Sequence, residues 1–193
     1  MKLETVEKKL GLTYPRAFRE IYEAGALRWL CGRPQAKAHL FPNRLLEQKW
    51  YPYWNLLPFS MTERMLGTLR LRIKLDRGRW KEGAQPLPFA ADDDGDIYFF
   101  DAALEDPAAP VFNWARDCGE IELVHHSFEH FICSHLCWPV LHQEMPPDHW
   151  WIQNQLRWLA PDHQRVWASG DMDALEALFL QTNCCKGTDY VSY

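Results

Sequence analysis

The sequence predicts an α+β fold with a mostly antiparallel sheet and a C-terminal helical extension. Apolar residues recur at helical spacing near both ends of the chain, and short aromatic-rich apolar runs separated by turn residues lie between them. A length of 193 residues suits one sizeable domain, or a domain with a small appendage, that buries its core without covalent staples. Hydrophobic residues at 47% and charged residues at 24% fall in the range of globular chains.

At the start, Leu3, Val6 and Leu10 share one helical face, and Gly11 is placed to end that helix in a left-handed cap. Pro15 biases Tyr14 towards an extended conformation and suits the first position of a second helix, which carries Phe18, Ile21 and Tyr22 on one face and stops at Gly25. Residues 26–60 are punctuated by prolines and hold the aromatic run Trp50-Tyr51-Pro52-Tyr53-Trp54, with no clear periodicity. In residues 68–75, Leu69, Leu71, Ile73 and Leu75 alternate with Arg70, Arg72 and Lys74, which predicts a half-buried strand with one basic face. Leu87-Pro88-Phe89-Ala90 predicts another strand. The acidic turn Asp92-Asp93-Asp94-Gly95-Asp96 then leads into Ile97-Tyr98-Phe99-Phe100, which pairs most economically with Val111-Phe112-Asn113-Trp114 in an antiparallel meander.

Residues 120–124 suit a further short strand, and Ser127 suits the N-cap of a helix over 128–136 whose Phe128, Phe131, Ile132 and Leu136 face the sheet. Pro139, Pro146 and Pro147 mark a boundary that divides the chain into 1–138 and 139–193. The remainder reads as helices: one capped by Asp148 and running to about Leu159, one over 161–168, and one over 172–180 with Met172, Leu175, Leu178 and Phe179 as its apolar stripe.

Composition excludes several classes of function. A net charge of −5 is the wrong sign for general nucleic-acid binding and leaves room for a basic protein partner. No run approaches a membrane span, and the charged N-terminal segment lacks the apolar stretch of a secretory signal. Six cysteines without zinc-ribbon spacing read as reduced thiols, so a cytoplasmic location is expected. Ten tryptophans point mainly to aromatic packing. Phosphate-binding glycine loops, nucleophile elbows and two-histidine zinc-protease helices do not occur, so a non-enzymatic binding protein with no cofactor is expected.

Four groups of residues are candidate sites. The acidic turn suits backbone hydrogen bonding within a tight turn first, and contact with a basic partner next; its spacing is not that of a calcium loop. The candidate partner-binding residues are Asp92, Asp93, Asp94 and Asp96, with the neighbouring strand aromatics Tyr98 and Trp114. His126, His130, Cys133 and Cys137 have ligand-type side chains at helical spacing, yet no second pair completes a site, and no metal is expected. Arg70, Arg72 and Lys74, with Arg77, Arg79 and Lys81 nearby, suit a solvated, edge-protecting strand face, and Trp150, Trp151 and Trp158 suit docking of the tail.

Taken in order, these elements resemble the SUKH superfamily, which includes bacterial toxin-immunity proteins and a yeast cell-wall-synthesis regulator. The resemblance rests on Val6-Glu7-Lys8-Lys9-Leu10-Gly11-Leu12 followed by Tyr14-Pro15, and on the helix around Phe18-Arg19-Glu20-Ile21-Tyr22. It continues through Leu87-Pro88-Phe89-Ala90, Gly95-Asp96, Ile97-Tyr98-Phe99-Phe100-Asp101, Val111-Phe112-Asn113-Trp114 and Ser127-Phe128-Glu129-His130-Phe131. It covers about two thirds of the chain, and the tryptophan-rich insertion and helical tail depart from it. The resemblance implies a twisted, mostly antiparallel sheet flanked by helices, and a role in binding proteins, for bacterial members the neutralisation of a cognate protein toxin. A scaffold or regulatory role on the same fold, and a metal-dependent enzyme using the acidic turn and the His-rich helix, are the alternatives.

Overall fold

The computed structural model describes residues 3–24, 54–56, 59–75, 78–92, 95–143 and 145–192. Helix α1 (Leu3–Leu10) ends at Gly11, whose φ of 66° is the left-handed conformation that glycine adopts without a steric penalty. Helix α2 (Arg16–Glu23) follows directly after Pro15, which occupies the capping position rather than the first helical one. Tyr14 fixes the link between the two helices. Its N–H donates to the Glu7 carboxylate at 2.9 Å, and its buried hydroxyl donates to the Pro88 carbonyl at 2.9 Å.

Strand β1 (Trp54–Leu56) precedes helix α3 (Phe59–Leu75), and strand β2 (Arg79–Trp80) follows it. Strands β3 (Pro86–Asp92), β4 (Ile97–Asp101), β5 (Val111–Trp114) and β6 (Ile121–His125) form the expected antiparallel meander. In its register Ile97 faces Trp114, Tyr98 faces Asn113 and Phe99 faces Phe112. Helix α4 (Phe128–Leu141) starts at Ser127, whose hydroxyl accepts the His130 N–H at 2.9 Å as a helix N-cap does. The tail comprises α5 (Trp150–Gln155), a 3-10 turn (Leu156–Trp158), α6 (Pro161–Ser169) and α7 (Met172–Thr182).

The tail is not wholly helical. Its last residues form β7 (Lys186–Gly187), which pairs with β6, and β8 (Val191–Ser192), which pairs with β2. The main sheet therefore runs β1-β3-β4-β5-β6-β7, every neighbour antiparallel. Apolar residues cover it on both faces. On one face Phe89, Phe100, Val111 and Val124 meet Phe18 from α2, Phe128 and Phe131 from α4, and Trp167, Leu175 and Leu178 from the tail. On the other, Ile97, Phe99, Phe112, Trp114 and Ile121 meet Leu69 and Ile73 of α3 and the tail's Tyr190. The two-residue period of β4 assigns its successive side chains to the two faces.

Residues 68–75 do not form the expected strand; they are the last turns of α3. Both periods fit the run itself, but the buried positions Thr62, Leu66, Leu69 and Ile73 are three or four residues apart, whereas Leu71 and Leu75 are 56% and 64% exposed. Leucine, arginine, lysine, methionine and glutamate also favour helix over strand. Arg70, Arg72 and Lys74 accordingly lie on an exposed helix face, and the edge-protection reading falls away. The aromatic run of residues 50–53 lies outside the described residues.

Candidate functional site

The acidic turn joins β3 to β4. Asp92 is the last residue of β3, while Asp93 and Asp94 lie outside the described residues. Asp96 works inside the fold: its carboxylate accepts the Arg116 N–H at 2.9 Å and the Asn113 side-chain amide at 3.5 Å. It thus ties the start of β4 to the end of β5. Gly95 has a φ of 92°, a backbone conformation that selects glycine; a Cβ there would meet only the Arg116 side chain, with Cδ at 3.0 Å. Tyr98 is half-buried, its ring edge-on to Phe131 at 5.8 Å between centroids. Trp114 is 3% exposed and sits in the core between sheet and α3, so its contribution is to packing.

The four ligand-type residues grouped by helical spacing do not form one ligand cluster among the described residues. Cys133 and Cys137 are fully buried, and the Cys133 thiol is pushed far above its ordinary pKa, first by its hydrogen bond with Cys137 and then by burial. A thiol held protonated is neither a metal ligand nor a nucleophile. His126 is exposed. Among the tail tryptophans, Trp150 is exposed, and Trp158 lies under the Arg157 guanidinium at 5.0 Å. Ile152, Leu159 and Trp167 are tail side chains buried in the core.

One constellation was not legible in the sequence. Glu129 and His130, in the first turn of α4, meet His163 from the first turn of α6, and one ligand atom from each lies within 4.8 Å of the others. Glu129 Oε1 accepts from His163 Nδ1 at 2.8 Å and from the Ala160 N–H at 3.0 Å, which binds α6 to α4. His130 Nε2 stands 3.9 Å from Glu129 Oε2. Its Nδ1 is buried without a partner among the described residues. Burial holds the His130 imidazole below its ordinary pKa against the opposing pull of Glu129, so the neutral ring is favoured. His163 lies 34 residues from Glu129 in sequence, so no local spacing could have joined them.

A meander covered on both faces, entered through two helices linked at the buried Tyr14 and closed by a capped helix, defines an α+β domain. The chain belongs to the SMI1 / KNR4 family (SUKH-1), whose family model matches residues 2–134. The match ends within α4, so the tail helices and strands β7 and β8 lie beyond it. No curated protein and no solved structure matches the chain. No helix among the described residues is long and apolar enough to cross a membrane.

Proposed function

We propose that this chain is an immunity protein that acts in the cytoplasm, without enzymatic activity, by binding a cognate protein toxin and neutralising it. The observation that supports this is its membership of the SUKH-1 family over residues 2–134. An acidic chain suits a basic partner, because complementary charge speeds encounter and selects among partners. The acidic turn is the first surface to test. Asp96 is occupied in holding β4 to β5, which leaves Asp92, Asp93 and Asp94 as the proposed contacts, together with Tyr98 of β4.

The experiment is co-expression with each candidate toxin found among the neighbouring genes. Protection of the cells and recovery of a complex are expected, and Asp93→Lys with Asp94→Lys should weaken that complex at least tenfold while leaving the far-ultraviolet circular dichroism unchanged. Recovery of endogenous cell components without protection would replace the immunity reading by a scaffold role. An intact complex with the double charge reversal would remove the acidic turn from the interface.

A further inference from the structure

We propose that Glu129, His130 and His163 form a divalent transition-metal site, suited to zinc, that fastens the C-terminal helices to the family domain. Two imidazoles and one carboxylate are a donor set for borderline cations such as zinc, and three protein ligands leave a fourth position for water. Donors at roughly 2.0–2.2 Å from zinc lie about 3.3 Å apart in a tetrahedron. One ligand atom from each of the three residues lies within 4.8 Å of the others, so side-chain adjustment that draws them together would place them around one ion.

The surroundings suit a metal as well as the spacing does. Glu129 can keep Oε1 on the Ala160 N–H while Oε2, already turned towards His130, takes the cation. A carboxylate oriented by a backbone donor is a supported ligand. The side chains of Glu129, His130 and His163 are 24%, 22% and 12% exposed, so an ion can enter from solvent yet is largely shielded once bound. The His130 ring is not committed to a hydrogen bond elsewhere, since its Nδ1 has no partner among the described residues and its Nε2 is beyond hydrogen-bond distance of Glu129.

Position gives the site its consequence. Glu129 and His130 lie within the family match and His163 lies beyond it, so an ion held by all three would join the family domain to the tail that follows it. The Glu129–His163 hydrogen bond already makes that join. Metal would replace one contact by bonds from three ligands.

The test uses the full-length protein, stripped with chelator and titrated with zinc by calorimetry, with magnesium as the hard-cation control. One zinc per chain, no heat from magnesium, and a melting temperature that rises with zinc concentration are expected. His130→Ala should weaken zinc binding at least tenfold without lowering the melting temperature of the metal-free protein, because its side chain makes no hydrogen bond among the described residues in that state. His163→Ala should weaken it as much, and cobalt bound to the parent should show the visible absorption of a low-coordinate site that both variants lose. Absence of stoichiometric zinc, or zinc bound equally by parent and His130→Ala, would overturn the proposal; the second result would place the ion on other residues, such as the exposed Cys118 and Cys185.

Discussion

His125 sits at the end of β6, 3% exposed, and donates its Nδ1–H to the Thr182 carbonyl at 2.7 Å, at the point where the last tail helix meets the sheet. Burial lowers its pKa from 6.5 to about 4, with the nearby His130 and His126 adding to the shift and the Thr182 hydrogen bond opposing it. The unfolded chain therefore takes up a proton on this ring between about pH 6.5 and about pH 4 where the folded chain does not. Stability from this group is complete above the upper value and declines as pH falls towards the lower one, by about 3 kcal/mol over the window. Urea midpoints measured at about pH 7, 5.5 and 4.5 should fall in that order, and His125→Gln, which keeps a donor for Thr182, should show a shallower decline. Equal slopes for parent and variant would mean that other groups govern the acid response.

At the scale of elements, helix α3 shows how far local sequence carries. The meander was legible because Ile97-Tyr98-Phe99-Phe100 and Val111-Phe112-Asn113-Trp114 carry branched and aromatic residues between strong turn signals, and the register joins them. The Ser127 cap was legible because a hydroxyl before an apolar run has few other uses. Residues 68–75 misled because eight residues with apolar side chains at every second place satisfy both periods in part, and the deciding positions, Thr62 and Leu66, lie upstream. Glu129 and His163 were beyond reach altogether, since tertiary packing alone brings them together. The helix makes a sharp prediction, because a strand would place Leu69 and Leu71 on the same face. Leu69 is fully buried against the sheet, so Leu69→Ala should cost about 2–5 kcal/mol, while Leu71→Ala should stay within about 0.5 kcal/mol of the parent. Denaturant midpoints of the two variants give the answer, and similar losses at both positions would contradict the helical assignment.

At the scale of the whole molecule, the boundary near Pro139 separates sequence patterns but does not separate cores. Ile152, Leu159, Trp167, Leu175 and Leu178 from the tail lie in the same apolar cluster as Phe18, Phe89 and Phe128 from the family domain. The tail also closes the opposite face, where Tyr190 packs on Phe112 at 4.6 Å between ring centroids and its hydroxyl donates to the buried Asp101 at 2.7 Å. Asp101 in turn accepts the Gln85 and Ala103 N–H groups, so one C-terminal side chain helps to fix the strand ends at β3 and β4. Removing the tail would expose apolar area on both faces and take from Asp101 its Tyr190 donor, a loss of about 1–3 kcal/mol for the hydrogen bond alone. We therefore expect the chain to unfold in one cooperative transition, with tryptophan fluorescence and far-ultraviolet circular dichroism giving coincident curves, and a chain ending at residue 142 to be insoluble or molten. Two separated transitions, or a well-folded fragment 1–142, would show that the tail is an independent unit and that the shared core does not couple it to the family domain.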